Sequence, residues 1–153
     1  MFKKILVCLD GSKLSEQILQ YASEEALHGE GKELVLFRAV PLSHSTTIAV
    51  PGVISSIPPT PPGPQQLAAE ETEAREYLKE KAAALKKIGI ETQYVVLVGN
   101  SGEEIVNYAN KNNVDLIAIA THGRSGIKRI LFGSVTEHVI KNSKIPILLI
   151  KPK

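Results

Sequence analysis

Gly123, Gly126 and Gly133 stand close to Arg124, Lys128 and Arg129 in the last third of the chain. The segment that holds them runs from an apolar stretch, Asp115 to Ala120 (DLIAIA), to a stretch of helical character, Val135 to Asn142. A basic, small-residue loop between a strand end and a helix start suits an anion. Backbone N–H groups can come close where no Cβ intervenes, and a helix N-terminus adds free donors and partial positive charge. The chemistry this predicts is a phosphate cradle, with Gly123, Gly126, Gly133 and Ser134 as its main signal. The spacing fits neither the Lys-Ser/Thr-ended P-loop pattern nor G-x-G-x-x-G. A structural alternative stands beside it: the glycines turn the chain, Ser134 caps the next helix, and the cations are solvated.

Asp10 ends the first apolar run and opens Asp10-Gly11-Ser12. A carboxylate there can accept both hydroxyls of a ribose, while Asp-Gly-Ser is also a good turn and helix entry. His122 adjoins Gly123 with no partner acid in sequence, and reads as structural. His28, His44 and His138 are scattered, and no metal-ligand spacing exists. No catalytic set with a nucleophile elbow is visible. Cys8 lies inside an apolar run and reads as a buried, inert thiol.

These residues need a scaffold. A chain of 153 residues is read as one domain, 1–153, with ordinary hydrophobic content of 43%. A net charge of +2 is too small for a broad nucleic-acid-binding face. No apolar run reaches the roughly 18 residues of a membrane span, and the N-terminal run is too short for a signal h-region. A single cysteine fits a reducing, cytoplasmic compartment.

Strands are predicted over Lys4–Leu9, Glu33–Val40, Glu91–Val98, Asp115–Ile119 and Pro146–Ile150. Helices are predicted over Lys13–Leu27, Gln65–Ile88, Ser101–Lys111 and the stretch ending near Asn142. Ser12 is the expected N-cap of the first helix, with Leu14, Ile18, Tyr21, Ala22 and Ala26 on its inner side. Leu67, Ala74, Leu78, Leu85 and Ile88 form the expected inner stripe of the second. Ser101 to Glu104 and Ser134 to Glu137 have capping-box spacing. The segment Pro41 to Pro64 holds seven of the nine prolines and reads as a long loop. Alternating strands and helices predict an α/β fold with a five-stranded parallel sheet and helices on both faces. Ligands of such sheets sit beyond the carboxyl ends of the strands, where Asp10, Val40 and Ala120 fall.

The chain resembles the universal stress proteins. Ala120-Thr121-His122-Gly123, the nine residues Arg124 to Phe132, and Gly133-Ser134 reproduce the spacing G-x-x-G, nine residues, G-S/T, with alanine at the first glycine. The opening KILVCLDGS, the THGRSG loop, GSVTEHVI and the terminal PILLIK extend the resemblance over the whole chain. It implies a Rossmann-like α/β/α sandwich of the adenine nucleotide alpha hydrolase-like kind that binds ATP, with Mg or Mn as an accompanying ion. By the same resemblance Asp10 is the ribose acid, and the Val40 backbone meets adenine. Gly123, Gly133, Ser134 and Val135 hold the phosphates, and Ala120 lies close to the ribose. A homodimer through the last strand, Ile147–Ile150, is implied as well, and an apolar edge strand points the same way. The resemblance makes the protein a binding module first, with slow hydrolysis or self-phosphorylation at most. Two alternatives stand beside it: an ATP-consuming enzyme of a related fold, which needs a better phosphate loop than Asp10-Gly11-Ser12-Lys13, and a ligand-free scaffold dimer. The Pro41–Pro64 segment is either a lid or partner-docking strip, or a plain insert.

Overall fold

The structure, a computed structural model, describes residues 2–43, 47–50, 53–56, 60–121 and 132–151. Strands β1 (Lys4–Cys8) and β2 (Glu33–Val40) flank helix α1 (Lys13–Leu27). A hairpin of β3 (Thr47–Val50) and β4 (Val53–Ser56) precedes α2 (Pro64–Lys87). Then follow β5 (Glu91–Val98), α3 (Ser101–Lys111), β6 (Leu116–Ala120), α4 (Ser134–Asn142) and β7 (Ile147–Ile150). The main sheet has the order β5-β2-β1-β6-β7, and its pairings are all parallel. The predicted five-stranded sheet is the one found, with β5 and β7 at its edges.

Side-chain alternation sorts the core into two layers. Ile5, Val7, Leu34, Leu36, Leu116 and Ala118 pack with α1 and α2 on one face. Leu6, Cys8, Val35, Phe37, Ile117 and Ile119 pack with α3 and α4 on the other. Strands β1 and β6 are apolar without alternation because both of their faces are covered. Asp115 ties the amino ends of β6 and β1 together: its Oδ2 accepts the N–H groups of Lys3 at 3.0 Å and Lys4 at 2.9 Å. Both bonds hold the Asp115 carboxyl below its ordinary range, the one from Lys4 more strongly.

Gly102 lets α3 and α4 cross closely. A Cβ at that position would lie 2.8 Å from the Cβ of His138. Among the described residues, no helix is long and apolar enough to cross a membrane.

Several local expectations are corrected. The Pro41–Pro64 segment contains the antiparallel hairpin β3–β4, not loop alone. Its strands fall in the proline-free quartets Thr47–Val50 and Val53–Ser56, so the ladder keeps its donors. Tyr21 is exposed, because α1 meets the sheet on a narrow stripe of Ser15, Ile18, Ala22 and Ala26. Ile88 is exposed too, since α2 ends at Lys87 and the 3.6-residue period no longer places it inward. The cap of α3 is Asn100, whose side chain accepts the N–H of Glu103, so Ser101 is the first helical residue. The cap of α4 is Gly133, with no side-chain capping bond, and Ser134 is the first helical residue.

Candidate functional site

Each helix that follows a parallel strand starts at the carboxyl edge of the sheet. This brings the N-termini of α1, α3 and α4 to one side of the molecule. A cleft of about 330 Å³ opens there. It lies beyond β1, where the strand order reverses between β2 and β6. Phe37 and Ala39 of β2, Ile119 and Ala120 of β6, and Ile105 of α3 give it apolar walls. Its polar lining comes from Asp10, Ser15, Ser101, Ser134 and Thr136.

Asp10 follows β1 and is exposed. Its Oδ1 accepts the N–H of Ser12 at 2.9 Å, and its own N–H donates to Ser15 Oγ at 3.3 Å. Ser12 Oγ in turn accepts the N–H of Ser15 at 3.1 Å and caps α1 as expected. Gly11 makes the turn at φ +86°, a conformation that disfavours side chains, and an added Cβ would lie 3.2 Å from Arg38 Nη1. The turn reading of Asp-Gly-Ser is therefore realised, and it holds Asp10 at the cleft. Among the described lining residues Asp10 carries the one carboxyl group.

Opposite stands the start of α4. The first intrahelical bond runs from the Glu137 N–H to the Gly133 carbonyl at 2.9 Å. The N–H groups of Ser134, Val135 and Thr136 are thus not consumed by the helix's own ladder. Gly133 has φ −61° and ψ 158°, open to any residue, and no described atom lies within 4 Å of where its Cβ would project. Neither backbone conformation nor packing against the described residues requires glycine there. What the missing Cβ leaves is access to the helix end.

The structure thus gathers Asp10, Ala120, Gly133, Ser134 and Val135 around one cleft. Val40 does not line it. Its side chain is buried, and its carbonyl accepts the N–H of Gly99 at 2.9 Å. Gly123, with His122, Arg124, Gly126, Lys128 and Arg129, lies outside the described residues. Cys8 also touches the cleft, and burial pushes its thiol well above its ordinary pKa, in keeping with an inert role. Sequence reasoning missed Phe37, Ala39, Ile105 and Thr136 as lining residues. Their apolar or helical periodicity marks them as core, and only the crossing of three helix ends at the sheet edge turns them toward a cavity. Ser101 carried a signal, but as a cap.

The sequence profile of the universal stress protein family matches residues 1–151. This chain belongs to that family. It is 31% identical over 161 aligned residues to the universal stress protein MJ0577 of Methanocaldococcus jannaschii, covering all of this chain and 97% of that one. The solved structure of MJ0577 superposes with a TM-score of 0.66 at 28% identity over 100% of this chain and 98% of that one. A universal stress protein of Archaeoglobus fulgidus solved in complex with dAMP matches with a TM-score of 0.65, covering 99% and 98% of the two chains. A further universal stress protein, solved in complex with cAMP, matches with a TM-score of 0.64, covering 97% of this chain and 96% of that one. At 21% identity these last two show the common fold. The family member described here thus has the Rossmann-like α/β arrangement of its structural neighbours.

Proposed function

We propose that this universal stress protein binds an adenine nucleotide in the cleft at the carboxyl edge of its sheet, that the ligand is ATP, and that it works as a dimeric nucleotide-binding regulator in stress response in the cytoplasm. One observation carries the reading. A carboxylate and an uncapped helix N-terminus face a single cleft with apolar walls, at the switch in strand order. Each part suits one part of a nucleotide. The base is apolar on its faces, the ribose offers two hydroxyls to a carboxylate, and the phosphates seek N–H donors at a helix start. That relatives of the same fold were solved with dAMP and cAMP supports the same class of ligand.

In this reading Asp10 accepts from the ribose, Ala120 borders the sugar, and Gly133, Ser134 and Val135 meet the phosphates, joined by Gly123. The Val40 backbone, at the end of β2 and outside the described lining of the cleft, is assigned the contact with the base. Mg or Mn would be held mainly by phosphate oxygens and water, with Asp10 as the one carboxylate lining the cleft among the described residues. Dimerisation is assigned to β7, the apolar edge strand. The test is calorimetry of the purified chain with Mg·ATP, alongside Asp10→Ala. Binding by the wild type that weakens in the variant is expected. A wild type that gives no heat and carries no co-purified nucleotide would sink the reading.

A further inference from the structure

Arg38 is the one cation of β2, and neither the fold nor the cleft as described gives it a task. It follows Leu34 and Leu36 at the two-residue spacing of a strand, so it stands on the face that α1 and α2 cover. Phe37 and Ala39, which wall the cleft, belong to the other face. Arg38 is therefore behind the cleft, and its side chain keeps only 19% exposure. Burying that much of a guanidinium calls for compensating contacts. Its Nη2 lies 3.8 Å from Glu73 Oε1, but that carboxylate is 74% exposed and the pair is weak. Its Cζ stands 5.4 Å from the centre of the Tyr77 ring. Its third neighbour is the turn that carries Asp10. A Cβ added to Gly11 would lie 3.2 Å from Arg38 Nη1 and 3.3 Å from both Cζ and Nη2. Distances so nearly equal mean that the flat face of the guanidinium is turned to the Gly11 α-carbon.

We infer that Arg38 is a positioning residue for nucleotide binding: its guanidinium braces the Asp10-Gly11-Ser12 turn from the α2 side and so holds the Asp10 carboxylate at the ribose hydroxyls. The inference rests on the nucleotide reading above and deepens it. Gly11, at φ +86°, makes the turn possible and also leaves it soft, because glycine populates positive and negative φ about equally. The bond from the Ser12 N–H to Asp10 Oδ1 fixes the carboxylate to the turn. The guanidinium behind Gly11 fixes the turn to β2 and α2. Tyr77 keeps that guanidinium in place and is itself anchored, its hydroxyl donating to Glu16 Oε1 of α1 at 2.9 Å. Burial and the Glu16 carboxylate push the Tyr77 hydroxyl above its ordinary pKa, and the charges of Arg38 and Asp10 act on it in opposite directions. Both charges therefore lie within electrostatic reach of the same ring. A flat, weakly hydrated cation suits a place between a ring and a backbone turn, where a lysine ammonium would not stack.

The experiment titrates wild type, Arg38→Met, Asp10→Ala and the double variant with ATP and with an ATP analogue that lacks both ribose hydroxyls. Methionine keeps an unbranched stem and removes the guanidinium. Wild type should prefer ATP to the analogue by roughly tenfold or more, as for a hydrogen bond to a charged group. Arg38→Met should bind the analogue as wild type does, yet its preference for ATP should shrink to about threefold or less, the carboxylate being present but misplaced. The double variant should bind ATP no more weakly than Asp10→Ala alone, because both changes remove one contact. A merely structural role would lower both affinities together. Three outcomes overturn the assignment: Arg38→Met keeps the full preference, it loses ATP and the analogue equally, or the two single losses add in the double variant. A wild type without any preference overturns it as well, by removing the ribose contact, while the nucleotide reading stands. A wild type that binds neither ligand is the separate failure of that reading, and the inference falls with it. Circular dichroism verifies that each variant is folded. If Arg38→Met is not, Arg38→Lys takes its place, keeping the charge and losing the flat face, with the same outcomes.

Discussion

In the proposed reading Asp10 combines a structural and a binding role at one position. Its Oδ1 already serves the turn into α1, through the Ser12 N–H at 2.9 Å, and that bond fixes where the carboxylate stands. Removing it should weaken nucleotide binding by about 1.5–3 kcal/mol, the range for a hydrogen bond to a charged group. Calorimetry of Asp10→Ala reads this directly, and a variant with unchanged affinity would assign Asp10 to the turn alone. Gly102 makes the opposite point. It touches no cleft in this reading, yet an added Cβ would meet the Cβ of His138 at 2.8 Å, an atom that cannot swing away. Gly102→Ala should cost about 1–3 kcal/mol of stability by overpacking. Urea denaturation measures it, and a loss below half a kilocalorie would mean that α3 and α4 separate freely. Of the site residues, Asp10 and the Gly133-Ser134 pair were legible from their types. The caps were not: Ser-x-x-Glu spacing marks a helix start to within a residue, while the backbone angles that decide the cap place it at Asn100 and Gly133.

At the level of elements, α4 begins without a side-chain cap, and that vacancy can be filled by substitution. Serine at the cap position would accept from the N–H of the second or third helical residue. Gly133→Ser should therefore raise stability by a few tenths of a kcal/mol and at the same time weaken nucleotide binding, because it occupies the donors the phosphate needs. A thermal melt paired with a nucleotide titration reads both. If affinity holds while stability rises, the phosphate does not sit on α4. At the other end of the sheet, Asp115 couples β6 to β1 through two backbone bonds. Its pKa is lowered in the folded chain, so its contribution is present above the unfolded value of about 4 and is lost as pH falls through the folded value. Asp115→Ala should be less stable than wild type at pH 7, and the gap should close as pH drops below about 4. A gap that persists at pH 2 would point to packing instead of charge. The hairpin β3–β4 is the element that the proline count concealed. Its signal was two proline-free quartets, Thr47–Val50 and Val53–Ser56, with five β-branched residues between them, readable once the prolines are seen to fall outside the strands.

For the molecule as a whole, the open question is how the β7 edge is covered. The carbonyls of Pro146 and Ile150 accept from the N–H groups of Ile117 in β6 and Thr121 just after it. Backbone polar groups alternate in direction along a strand, so those of Ile147 and Leu149 point away from the sheet. Proline at position 149 would remove one outward donor and leave the β6 ladder intact. If copies of this chain pair through β7, Leu149→Pro should convert a dimer to a monomer in sedimentation analysis, with the circular dichroism spectrum retained. A variant that stays dimeric would move the interface elsewhere. The sequence by itself determined the alternating order of the main-sheet strands and helices, the parallel sheet and the two-faced core, because periodicity and strand apolarity are local consequences of which faces are covered. It also determined the family and the residue types at the carboxyl edge. The tertiary structure alone decided which of those residues share a cleft. That Phe37, Ile105 and Thr136 line it while Val40 lies buried beside β5 depends on strand order and on the close crossing of α3 and α4 at Gly102. Those are distances between segments far apart in the chain, set by packing, and no local pattern of residues encodes them.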